Sequence, residues 1–192
     1  MGKGRLEAFS DGVFAIIITI MVLELKVPHG ELWADLAKLA PVFFSYVLSF
    51  LYVGIYWNNH HHLLHAARQV SAGILWSNLH LLFWLSLLPF TTGWMGENHF
   101  PALPVALYGF DLLMCACAYS LLQMRIIKVH GNDSVLARAI GVDLKGKISL
   151  AVYLLNIPLA LLGYPLIAVA LMLAVAILWI IPDRRIEKQL SD

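Results

Sequence analysis

The chain has 192 residues, 60% of them hydrophobic and 13% charged, with a formal net charge of +1 at pH 7. Soluble domains carry roughly 25% charged residues, so this composition, with a mean hydropathy of +0.78, excludes an ordinary soluble enzyme and describes an integral membrane protein. The near-neutral charge also excludes an electrostatic nucleic-acid partner, which needs a clustered basic surface.

The first predicted element opens on Arg5-Leu6-Glu7-Ala8-Phe9-Ser10-Asp11-Gly12 and runs without interruption into the apolar residues 13–23. The pattern predicts a helix over about 5–27, ended where Glu24 and Lys26 introduce charge and Pro28 and Gly30 break the backbone. No small-residue cleavage site follows the apolar core, so the segment reads as a permanent span and not as a cleaved signal peptide. A charge within a span costs roughly 2.5–3.5 kcal/mol on insertion scales, so Asp11 must face protein or water and is a functional candidate.

Residues 39–59 contain no Asp, Glu, Lys or Arg and predict a second helix over about 36–66, with Asn58-Asn59-His60-His61-His62 crowded toward its far end. Residues 69–96 are likewise uncharged. They predict a third helix over about 70–94, kinked or stopped near Pro89 and Thr91-Thr92-Gly93. A fourth, over about 102–127, is interrupted by Asp111 and followed by a polar linker from Arg125 to Lys147. From Ile148 to Ile181 there are 34 uncharged residues, too many for one ordinary span. Gly163-Tyr164-Pro165 supplies the dividing turn, giving a fifth helix over about 146–162, bent by Pro158, and a sixth over about 165–181. The fold class is therefore all-α: a polytopic membrane protein with six transmembrane helices in a single domain over 1–192. Short loops leave no room for a soluble catalytic domain. Cys115 and Cys117, the two cysteines, stand two apart on a helix and point to different faces, which implies neither a disulfide nor a zinc site.

Lysine and arginine positions set the orientation. Six spans put eleven of the thirteen on the side of the termini and leave Lys26 and Lys38 on the other. The positive-inside rule then places both termini in the cytoplasm.

Depth predicts which polar groups meet. Asp11 lies about 9 Å past Arg5 along the first helix. His60 and His61 on the second helix, and Asn78 on the third, fall at a similar distance from the same membrane face. We expect a polar layer in which Ser10 and Asp11 bond to groups of the second and third helices. On a different side of the first helix, Thr19, Ile20 and Leu23 lie three, four and seven residues after Ile16 and form one stripe with it. Read from residue type alone, such a stripe is a lipid-facing or packing surface. Asp111 is expected to face protein, with Asn156 as a candidate partner.

Arg5-x-x-x-Phe9-Ser10-Asp11-Gly12 at the head of the first hydrophobic segment resembles the prokaryotic members of the transmembrane protein 175 family. Trp57 ahead of His60-His61, and Asn78 with Pro89-Phe90, extend the resemblance over the whole chain. It implies a passive, potassium-permeable channel without the usual selectivity-filter sequence, and with no cofactor beyond permeant K⁺. It implies four copies around an axis in the cell membrane. The first helices would line the pore and close it with a ring of bulky aliphatic side chains, which falls here on Ile16, with Thr19, Ile20 and Leu23 beside it. Partners are then other copies of the chain, the lipid bilayer and potassium ions. No Thr-Val-Gly-Tyr-Gly run exists, and Tyr108-Gly109-Phe110 lacks the loop context of a filter, so modest selectivity is expected.

Two other classes compete. A proton-permeable channel or proton-coupled carrier is prompted by Asp11, Asp111 and the histidines, although neither an inverted repeat nor a broken midplane helix is visible. A membrane metalloenzyme is prompted by His61 and His65 at i, i+4, but such oxidases need several histidine boxes and this chain has essentially one. The chain reads as a channel and not as an enzyme.

Overall fold

A computed structural model of the chain describes residues 2–131, 137 and 143–180. Among them it has eight helices and no strand: α1 (Lys3–Leu23), α2 (Trp33–Ala37), α3 (Ala40–His65), α4 (Ala72–Leu85), α5 (Leu88–Glu97), α6 (Ala102–His130), α7 (Leu144–Leu161) and α8 (Pro165–Ile180). The expected end of the last helix at Ile181 lies outside the described residues, as do Arg138, Arg184, Arg185 and Lys188 of the orientation argument. Among the described residues five stretches are long and apolar enough to cross a membrane: α1, α3, α4 with α5, α6 and α7. α8 has 16 residues, about 24 Å of helix, against a hydrocarbon core of roughly 30 Å.

The run Ile16-Ile17-Ile18-Thr19-Ile20 is β-branched throughout and would be a poor helix former in water. In a bilayer the backbone has no water to bond, so the chain satisfies its own amides and carbonyls and the helix prevails. α1 ends four residues before the expected boundary. α2, a short helix of five residues, was not expected as a separate element.

The third predicted span is two helices. Pro89 has no amide to give the carbonyl of Leu85 and its ring crowds that carbonyl, so the chain breaks at Ser86 and Leu87 and restarts with the proline in the first turn of α5. α6 runs three residues past its expected end and stops at Gly131, whose φ of 87° is open to glycine. Pro158 sits inside α7, and Gly163, with φ 97°, makes the turn into α8.

α6 packs against α4 and α7, α7 against α8, and α3 against α5. α1 packs on α3, α5 and α4. Lipid tails are as apolar as leucine, so close packing and interhelical hydrogen bonds hold such a bundle together. Ser49 Oγ lies 2.6 Å from Thr92 Oγ1 and 2.9 Å from the Tyr108 hydroxyl, joining α3, α5 and α6. The Tyr52 hydroxyl donates to the Met172 carbonyl at 2.6 Å, joining α3 to α8.

Gly96 shows how tightly α3 and α5 meet. A Cβ there would stand 3.0 Å from Val42 Cα and closer still to Ser45 Oγ. The serine can rotate, but the backbone cannot. Gly96→Ala is expected to destabilise the fold by about 1–3 kcal/mol, as overpacking does, read as a lower thermal midpoint in detergent. An unchanged midpoint would mean that the two helices separate without cost.

Outside the spans, Lys26 donates to Glu97 and ties the loop after α1 to the end of α5. Its pKa is raised, by that hydrogen bond first and by the Glu97 charge second. The tie is therefore complete below the ordinary lysine value of 10.5 and is lost as pH climbs through the raised one.

Candidate pore helix and its polar foot

α1 has two unlike sides. Leu6, Ser10, Phe14, Ile17 and Met21 are buried against the rest of the subunit. They recur every three to four residues, which makes them one face. On another side, Ile16 is 58% exposed, Ile20 42% and Leu23 77%, and Thr19 is exposed with them. No residue of the same chain covers this stripe among those described. Thr19 Oγ1 donates to the Ile16 carbonyl at 2.9 Å, which spends its proton and leaves its oxygen lone pairs outward. Gly12 is on the same side, one turn before Ile16, and a Cβ added to it would meet nothing within 4 Å.

The buried face carries the polar foot. Ser10 Oγ donates to the Leu6 carbonyl at 2.8 Å. Asn78 Nδ2 on α4 donates to Ser10 Oγ at 3.0 Å, and Asn78 Oδ1 lies 2.6 Å from His60 Nε2 on α3. An amide oxygen only accepts, so the order of donors is determined: His60 Nε2–H to Asn78, Asn78 to Ser10, Ser10 to Leu6. All three side chains are nearly sealed from solvent, with His60 2% exposed and Ser10 and Asn78 at 0%. The His60 ring also packs on Phe14, with centroids 5.5 Å apart.

Asp11 makes its contact on another flank of α1. Trp57 Nε1 donates to Asp11 Oδ1 at 3.0 Å, and both residues are exposed in the single chain. The structure thus brings Ser10, Asn78 and His60 into one chain and Asp11 and Trp57 into a second.

His61 does not enter the layer where the depth argument put it. It follows His60 by one residue and so points about 100° away, is exposed, and packs on the rings of Trp57, His62 and His65. Phe9 is 49% exposed. Seven residues before Ile16, it shares that side of the helix, away from Ser10. Arg5 is exposed as well. No group of His, Cys, Asp or Glu able to hold a metal ion exists among the described residues.

Asp111 is buried in α6 at 2% exposure and accepts from Thr91 Oγ1 at 3.0 Å. Asn156 is not its partner. Both polar atoms of the Asn156 side chain, and Asp111 Oδ1, lack a hydrogen-bond partner among the described residues. Gly109 of α6 faces Asn156, its would-be Cβ lying 3.4 Å from Asn156 Cβ. Two positions further on, Asp111 is turned about 200° around the helix. The Ser49, Thr92 and Tyr108 cluster was missed in the sequence, because isolated hydroxyls on apolar helices carry no spacing signal.

A family model described as endosomal/lysosomal potassium channel TMEM175 matches residues 5–89, which include the whole polar foot. The chain is 55% identical over 192 residues to a potassium channel of Chryseobacterium sp. (strain P1-3), covering 100% of both chains. It is 34% identical over 134 residues to a potassium channel of Streptomyces collinus, covering 66% of this chain and 65% of that one. The endosomal/lysosomal proton channel TMEM175 of Homo sapiens is 38% identical over 96 residues, which make up 43% of this chain and 19% of the human one. Among solved structures, the fold is similar to the crystal structure of a lysosomal potassium-selective channel TMEM175 homolog from Chamaesiphon minutus. The TM-score is 0.78 at 27% sequence identity, over 92% of this chain and 95% of that chain.

Proposed function

The chain belongs to the TMEM175 family of multi-pass membrane channels, and from that premise we propose that it conducts potassium passively through a pore lined by α1 of several copies. It is a channel and not an enzyme. The observation that carries the pore reading is the two-sidedness of α1: one face is sealed into the subunit through Ser10, Asn78 and His60, while the aliphatic stripe Ile16, Thr19, Ile20 and Leu23 is left bare. One chain cannot enclose a pore with one bare helix, so copies must gather around an axis, and closed cyclic symmetry is the usual solution. The family resemblance makes that number four. The positive-inside distribution supports a cell-membrane protein with both termini in the cytoplasm.

On this reading Ile16 is the constriction, Gly12 leaves a wider vestibule on the cytoplasmic side, and Leu23 is the next narrowing outward. Aliphatic side chains cannot replace an ion's hydration shell, so the ring gates by excluding water. The outer loops and helix ends hold Glu24, Glu31, Asp35 and Glu97 against Lys26 and Lys38. Salt bridges occupy Asp35 and Glu97, and the remaining carboxylates would concentrate cations at the outer mouth.

The reading is tested with purified protein in liposomes under separate K⁺, Na⁺ and H⁺ gradients. Uncoupled K⁺ flux is expected, and flux that requires a second ion's gradient would make it a carrier. The proton-channel name of the human relative favours a second reading, proton permeation, which the H⁺ arm decides. Thr19→Val, which removes the stripe's hydroxyl and keeps its shape, is expected to lower K⁺ preference over Na⁺ several-fold while assembly is unchanged. Equal ion preference in this variant would take Thr19 off the ion path.

A further inference from the structure

The far end of α6 makes a contact that the pore does not use. Between α3 and α4 the chain reverses over residues 66–71. The amides of Arg68 and Gln69 both point at Nε2 of His130, at 2.8 and 3.2 Å. On the other side of the ring, Nδ1 lies 2.8 Å from the Ile126 carbonyl one turn back. A carbonyl only accepts, so Nδ1 carries the proton. Two amides only donate, so Nε2 must present its lone pair. The ring is thus held as one neutral tautomer by bonds on both sides.

An imidazolium carries N–H at both positions and would turn two hydrogen bonds into two donor-against-donor contacts. The turn has little to fall back on. The Ala66 and Ala67 amides bond to His62 and Leu64, whereas those of Arg68 and Gln69 have no backbone acceptor among the described residues. Among the described residues the charged side chains at this corner are mostly basic. They are Arg68 on the turn, Arg125 on α6 with its Cδ 3.9 Å from where a Gly73 Cβ would stand, and Lys3, which donates to the His65 carbonyl at 2.7 Å. Lys128 of α6 is on the side of Met124 and Ile127. Among the described residues Glu7 lies 3.9 Å from Lys3 and forms no bond with the ring.

We propose that His130 is an acid-released latch: neutral, it ties the α3–α4 turn to the end of α6, and on protonation it lets the turn go. The turn joins the two helices whose Trp57, His60 and Asn78 hold the foot of α1. Histidine as a residue type ordinarily changes charge between about pH 5 and 8, and the test spans that range.

The test is hydrogen exchange of the purified chain in detergent, read on peptides covering 66–71 and corrected for the intrinsic rate at each pH. Conduction plays no part in it, so its failure would leave the channel reading intact. Protection in the parent is expected to fall about tenfold between pH 8 and pH 5, the equivalent of one to two ordinary hydrogen bonds, while peptides of α8 are unchanged. His130→Gln, whose amide oxygen accepts at either pH, should keep the turn protected throughout, and His130→Leu should leave it unprotected throughout. Equal protection of the parent at both pH values would overturn the proposal. So would acid loss in the Gln variant matching the parent's, or a loss shared by α8.

Discussion

Ile16→Asn is expected to raise potassium conductance by on the order of tenfold, equivalent to about 1.4 kcal/mol off the barrier to permeation, and to weaken discrimination among cations. On the pore reading proposed above, a ring of isoleucines would offer a partly dehydrated ion nothing to bond, so the pore would conduct only when the ring is wide enough to stay wet. An asparagine amide supplies donors and acceptors at the same depth and holds water there. The substitution should leave the subunit itself intact, because the Ile16 side chain is 58% exposed and its removal opens no cavity in the buried face of α1. Liposome flux or single-channel recording measures the effect. If the variant conducts like the parent, and a cysteine at 16 is shielded from water-soluble thiol reagents applied from either side, this stripe packs against lipid or protein and the pore is elsewhere.

The second large effect is a loss of stability. Asn78→Leu takes away the acceptor of His60 Nε2–H and the donor to Ser10 Oγ in a site closed to water. Ser10 keeps its bond to the Leu6 carbonyl, but the His60 N–H is orphaned; a buried polar group left without its partner costs about 1–3 kcal/mol, which should lower the thermal midpoint in detergent by roughly 2–12 °C at this chain length. Assembly should fall with it, since the foot of α1 is no longer held at its angle to α3 and α4. Adding His60→Leu should recover part of the loss, because replacing both partners with apolar groups removes the orphaned donor. A midpoint equal to the parent's in Asn78→Leu would mean that water reaches these groups and that the network carries little.

The sequence was sufficient for the class and for the meeting of three polar side chains. Uncharged stretches of bilayer length can only be helices where no water satisfies the backbone, and 60% hydrophobic content leaves little else. Counting 1.5 Å per residue from a common membrane face was enough to put Ser10, His60 and Asn78 at one depth, and the hydrogen-bonded chain among them is what the structure contains. Depth says nothing about azimuth, however. His60 and His61 share a level to within a residue, yet one is buried beside Asn78 and the other stacks with His65 on the outside.

That difference, the turning of Asp111 toward Thr91 and away from Asn156, and the meeting of His130 with amides some sixty residues earlier were decided only by tertiary packing. Hydropathy and rise per residue are properties of one helix and its distance from the membrane surface. The rotation of each helix about its own axis is set by the side chains of its neighbours, and those become neighbours only when the bundle closes.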